Sequence, residues 1–87
     1  MSEDILPDFS SLSKSIFIGR LYEHYKGHRY KILGIARHTE TLEEMVIYQP
    51  LYGKGDIWVR PLNMFIENVI INGSTVPRFK LIEELIS

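Results

Sequence analysis

Eighty-seven residues without a cysteine, 45% hydrophobic and 24% charged, make a single domain and exclude a disulfide framework, a thiolate metal site and an intrinsically disordered chain. A chain this short buries only somewhat over ~60% of its unfolded surface, so its core is thin and each large ring counts. The net charge of −1 argues against a dedicated nucleic-acid binder, but it hides an asymmetry: residues 1–13 carry −3, residues 14–38 carry +5 and residues 39–87 carry −3.

Residues 1–15 read as a tail that docks on the domain. Ile5, Phe9 and Leu12 share one face at i, i+4, i+7 spacing and suit a helical turn. The acidic start lacks the basic and apolar regions of a signal peptide, and no apolar run approaches the ~20 residues of a membrane span. A cytoplasmic protein with no membrane contact is therefore expected. Ile16 to Tyr25 reads as the first strand, with Gly19 marking a bend. Lys26-Gly27 makes a tight turn, the glycine supplying the positive φ.

Arg29 to Arg37 reads as a second strand with Tyr30 and Ile32 on one face and Lys31, Leu33 and Ile35 on the other, bent at Gly34. Thr39-Glu40-Thr41 connects it to a third strand, Glu43 to Gln49, with Val46 and Tyr48 on one face. Pro50 ends that strand because it has no N–H to donate. Tyr52-Gly53-Lys54-Gly55-Asp56 is a loop, and Ile57 to Arg60 a fourth strand with Trp58 and Arg60 on one face. Pro61 opens a helical turn through Phe65. Asn72-Gly73 between β-branched runs is the strongest hairpin signal in the chain, joining Glu67–Ile71 to Thr75–Phe79. Pro77 marks the latter as an edge. Residues 81–87 form a C-terminal extension of either helical or extended character.

Five to six short strands with one helical turn before the last hairpin describe a mainly β domain over residues 16–80, a small, strongly bent SH3-like barrel. The segments His24-Tyr25-Lys26-Gly27, Ala36-Arg37-His38-Thr39-Glu40-Thr41, Val46-Ile47-Tyr48, Leu51-Tyr52-Gly53, Trp58-Val59-Arg60-Pro61, Met64-Phe65 and Val76-Pro77-Arg78-Phe79 stand in an order that resembles the bacterial family known as domain of unknown function 1653. The resemblance spans roughly residues 19 to 79. It implies a fold similar to SH3-type barrels and brings no established activity, substrate, cofactor or site residues.

No Gly-x-Ser-x-Gly elbow, phosphate loop or cysteine nucleophile is present. His24, His28 and His38 do not fall at helical metal-ligand spacing, and Glu43-Glu44 point to opposite faces of a strand. No cofactor or metal is expected. The constellation of interest is Arg37, His38, Tyr48, Tyr52, Trp58 and Arg60, in which aromatic rings interleave with guanidinium groups. Such a face suits a protein segment or a small anionic ligand, by stacking and bidentate hydrogen bonds. The plainer reading makes Trp58 and Tyr48 core and pairs Arg37 and Arg60 with Glu40, Glu43 or Glu44. A non-enzymatic binding module, a monomer or weak homodimer, is the expected function. The alternatives are nucleic-acid binding through Lys26, Arg29 and Lys31 in the basic 14–38 segment, and a small enzyme using His38 and Arg37.

Overall fold

The computed structural model describes residues 8–83. Within them the chain is mainly β and antiparallel. The elements run α1 (Ser11–Lys14), β1 (Leu21–His24), β2 (Arg29–Arg37), β3 (Glu44–Pro50), β4 (Trp58–Pro61), α2 (Leu62–Phe65), β5 (Asn68–Ile71), β6 (Ser74–Pro77) and β7 (Phe79–Leu81). Five strands form one sheet in the order β4-β3-β2-β1-β7, and β5-β6 stand apart as a hairpin. Strands β4 and β7 end the sheet, so no closed barrel forms among the described residues.

Alternation along β2 and β3 builds the core. Ile32, Val46 and Tyr48 are buried, joined by Tyr22 of β1, Phe79 of β7, Leu62 and Phe65 of α2, and Ile16. Phe65 stacks flat on Phe79 at 4.2 Å between centroids, and Tyr22 meets Phe65 edge-on at 5.6 Å. The bend in β2 has a definite origin. Ile32 pairs with Tyr48 but Gly34 pairs with Ile47, so Leu33 is an extra residue with no partner on β3. A bulge of this kind reverses the alternation that follows it. Ile35, expected on the face opposite Ile32, therefore packs against the core, and Leu33 is exposed.

Several boundaries differ from the sequence reading. The first strand begins at Leu21, not Ile16. Gly19 takes φ 86° and its N–H donates to the Ile32 carbonyl at 2.8 Å, which turns the chain before it can pair as a strand. Strand β3 runs through Pro50, which pairs with Tyr30. The loss of one N–H is tolerated because the next residue, Leu51, donates to the Arg29 carbonyl. Pro61 ends β4 and stands just before α2 rather than inside it.

The Asn72-Gly73 turn is as expected, both residues at positive φ (50° and 80°). The strand after it stops at Pro77, and Phe79–Leu81 forms the separate β7, which pairs with β1. The extension expected from residue 81 thus starts inside a strand, and Ile82 still donates to the Leu21 carbonyl. In the tail, Ile5 lies outside the described residues. The turn α1 exposes Leu12 and buries Ser13, the reverse of an apolar docking face. The cause is polar: the Ser13 hydroxyl donates to Glu44 Oε2 at 2.8 Å, while the Ser10 N–H and hydroxyl donate to the same carboxylate at 2.7 and 2.8 Å. No helix among the described residues is long and apolar enough to cross a membrane.

Candidate functional site

The six residues singled out by sequence fall into two groups at opposite ends of the sheet. Strand β3 decides this. Trp58 stands across from Tyr48 and Arg60 across from Val46, so these side chains share the face that forms the core. Arg37 stands across from Glu44, four residues along β3 from Tyr48 and about 13 Å away at ~3.3 Å per residue. The expectation that Arg37 lies beside Tyr48 and Trp58 is corrected by this antiparallel register.

At the Arg37 end, polar groups hold a loop and the tail. The Arg37 guanidinium lies over the Phe9 ring at 4.9 Å and donates to the Leu42 carbonyl at 3.3 Å. His38 Nδ1 accepts from the N–H groups of Glu40 and Thr41 at 3.1 and 3.3 Å. That pair of bonds fixes the turn in which Leu42 takes φ 64°. Glu44, receiving the Ser10 backbone N–H and the Ser10 and Ser13 hydroxyls, has its pKa held below the ordinary carboxylate value.

The other end is an open aromatic cup. Tyr48 is buried but its hydroxyl accepts from Arg60 Nε at 3.2 Å. The Arg60 guanidinium lies 5.5 Å from the centroid of Phe79. No carboxylate pairs with Arg60 among the described residues. Trp58 is 57% exposed and Tyr52 46%. Of the two aromatics read equally as core or groove, Tyr48 is core and Trp58 is surface. Tyr52 stacks on His28 at 4.2 Å, and its hydroxyl lies 3.0 Å from that of Tyr30.

Tyr30, His24, His28 and Phe79 complete the cup and were not foreseen. Tyr30 meets Tyr48, Tyr52 and Phe79 edge-on at 5.3 to 5.8 Å. Burial, then the hydrogen bond to Tyr52, pushes the Tyr30 phenol up to about 12. His24 lies 5.0 Å from Phe79, and its pKa is lowered by burial first and then by Arg60, Arg78, Lys26 and His28. Of those cations, Arg78 is itself paired with Glu67 at 2.7 Å, whereas Arg60 has no acid partner among the described residues. The sequence signal that pointed here was the alternation of Tyr30 with Ile32. The pairing of β1 with β7, which brings in His24 and Phe79, has no local signature.

The three cations of the nucleic-acid alternative do not form one stripe. Lys26 sits in the turn, where its backbone N–H donates to His24 Nδ1. Arg29 forms an ion pair with Glu23 at 3.2 Å. Arg29 and Lys31 alternate with Tyr30 and Ile32 and so face away from the cup. A groove of about 880 Å³ lies between the β5-β6 hairpin and strands β1 and β7, with Glu23, Arg29, Lys80 and Glu83 on its walls beside Val76 and Pro77, and it shares His24 with the cup. Its charges of both signs offset one another. Among the described residues no three His, Asp or Glu side chains gather closely enough to hold a metal ion.

A bent antiparallel sheet, sealed at one end by its own serines and open at the other through an arginine-bearing aromatic cup, defines a small mainly β domain. The chain belongs to the DUF1653 family, proteins of unknown function, whose model matches residues 20–81. It is similar to a DUF1653 protein from Bordetella bronchiseptica known from a crystal structure, with 33% identity over 84% of this chain and 96% of that one and a TM-score of 0.70. No curated protein matches the chain.

Proposed function

We propose that the protein is a non-enzymatic binding module that takes an anionic group, carried by a protein segment or a small molecule, into the cup of Tyr48, Tyr52, Trp58 and Arg60. The observation behind this reading is the state of Arg60. Its guanidinium is oriented by the Tyr48 hydroxyl and the Phe79 ring, and no acid among the described residues neutralises it. With Nε engaged, the Nη groups remain to donate to a carboxylate or phosphate, and a guanidinium already fixed in place loses less freedom on binding. Trp58 and the Tyr52–His28 pair offer flat surfaces on which a planar group stacks. The Tyr30 phenol, pushed up to about 12, stays protonated at neutral pH and keeps its hydrogen for Tyr52 or a ligand.

We read the bent sheet as a partly open SH3-like barrel. Two features support this: the five-strand order with β7 beside β1, and the helical turn α2 that follows β4. That barrels of this kind commonly bind segments of other proteins is an argument from fold analogy alone.

The test is a titration followed through backbone amide resonances, with benzoate as a planar anion and benzamide as its neutral counterpart. Benzoate is expected to give saturable shifts at Tyr52, Trp58 and Arg60, and benzamide far weaker ones. Trp58→Ala should remove the benzoate response with the rest of the spectrum unchanged. Equal responses to both probes, or no saturable response to benzoate, overturn the reading.

A further inference from the structure

Strand β4 is an edge of the sheet, and its side chains are unusually uncovered. Asp56, Ile57, Trp58 and Val59 are all exposed in succession, the last three at 64%, 57% and 57%, and Arg60 follows. Asp56 precedes the strand and has no hydrogen bond or ion pair to any described residue; Arg60 has no acid partner among them. An edge of this kind is a template for another strand, and the order of its residues says which strand fits.

The segment Asp56-Ile57-Trp58-Val59-Arg60 is symmetric about Trp58 in apolarity and antisymmetric in charge. We propose that a second copy of this chain pairs antiparallel with β4 about a two-fold axis at Trp58. In that register Asp56 stands opposite the partner's Arg60, whose guanidinium swings out from the Tyr48 hydroxyl and the Phe79 ring to meet it; Ile57 faces the partner's Val59, and the two Trp58 rings lie side by side. The Asp56–Arg60 and Ile57–Val59 pairs each occur twice and the Trp58 pair once, on the axis, as an isologous interface requires. Alternation puts both ion pairs and the indoles on one face and the four aliphatic side chains on the other. The ten strands of two five-stranded sheets then form one continuous sheet.

The neighbouring registers that keep the same faces are poorer. A shift to an axis at Val59 sets Asp56 against the partner's Leu62 and leaves its charge unmatched. A shift to an axis at Ile57 sets Lys54 against the partner's Arg60. The pairing also has built-in ends. Gly55 turns away at φ 71° with its carbonyl held by the Gln49 side chain at 2.7 Å, and Pro61 has no N–H to offer. Five residues a side is a small interface, so the dimer is weak and exchanging. It uses the Arg60 guanidinium that the binding reading gives to an anion, so self-pairing and anion capture exclude each other.

The experiment is sedimentation equilibrium of the full chain at low salt with no added anion, which keeps its outcome independent of the ligand reading. The wild type is expected to show a monomer–dimer equilibrium. Asp56→Arg and Arg60→Asp, each of which sets like charges against one another twice, should weaken the dimer at least about tenfold. An equimolar mixture of the two variants should dimerise again, because every cross-pair is then of opposite sign. Asp56→Arg changes an exposed residue and carries the test alone should Arg60→Asp fail to fold. A wild type that stays monomeric to about 1 mM, an Asp56→Arg variant that dimerises as well as wild type, or a mixture of folded variants that stays monomeric overturns the proposal.

Discussion

Two arginines on this sheet are set among similar groups and end in different states. Arg37 lies over Phe9 and Arg60 over Phe79, and each donates to an oxygen, the Leu42 carbonyl in one case and the Tyr48 hydroxyl in the other. Arg37 has Glu44 directly across the ladder, with Ser10 and Ser13 completing that carboxylate's shell. Arg60 has Val46 across from it, and Trp58 two residues back along its strand is exposed. What surrounds an arginine on the opposite strand, not the arginine or its ring, separates a structural tie from a group left available.

Substitutions at the two ends of the sheet test this difference. The largest effect should come from Tyr48→Ala, which removes a buried ring from the centre of the open end and should cost about 3–5 kcal/mol of stability in urea unfolding. A loss near that of a surface residue would mean that the cup is not continuous with the core. At the sealed end, Ser10→Ala removes the helix cap and a donor to Glu44, and about 1 kcal/mol should be lost.

A pH series sharpens the contrast. Glu44 has a lower pKa folded than its ordinary 4.5, so the stability it contributes is present above 4.5 and is lost as pH falls through the folded value. Glu44→Gln should therefore flatten the acid limb of the stability curve, while Trp58→Ala leaves that limb unchanged. The smallest effect on stability is expected from Trp58→Ala, within about 0.5 kcal/mol at an exposed position. A much larger loss would make Trp58 part of the core after all.

Much of the fold was legible because it is written locally. The limits of β2, the buried face of Val46 and Tyr48, and the Asn72-Gly73 turn each follow from period-2 alternation or turn chemistry within a few residues. The face of Ile35 was not legible, because one unpaired residue at Leu33 inverts the pattern without altering its appearance in sequence. The site divided in the same way. Trp58 and Arg60 were correctly placed on one face, since both lie on a single short strand. Grouping Arg37 and His38 with them failed, because the register between β2 and β3 sends the two ends of β3 apart. His24, His28 and Phe79 enter the cup only through the closure of β7 on β1 and the meeting of two loops, contacts between residues far apart in sequence.

Trp58 is the single tryptophan of the chain, and its place on the open edge gives the molecule a built-in optical reporter. An indole already bathed in water emits at long wavelength whether the chain is folded or not, so thermal melting should leave its colour almost unchanged. Coverage of the β4 edge should shift that emission to the blue and shield it from iodide quenching. Intrinsic fluorescence from this protein therefore reads occupancy of one surface and is nearly blind to the core.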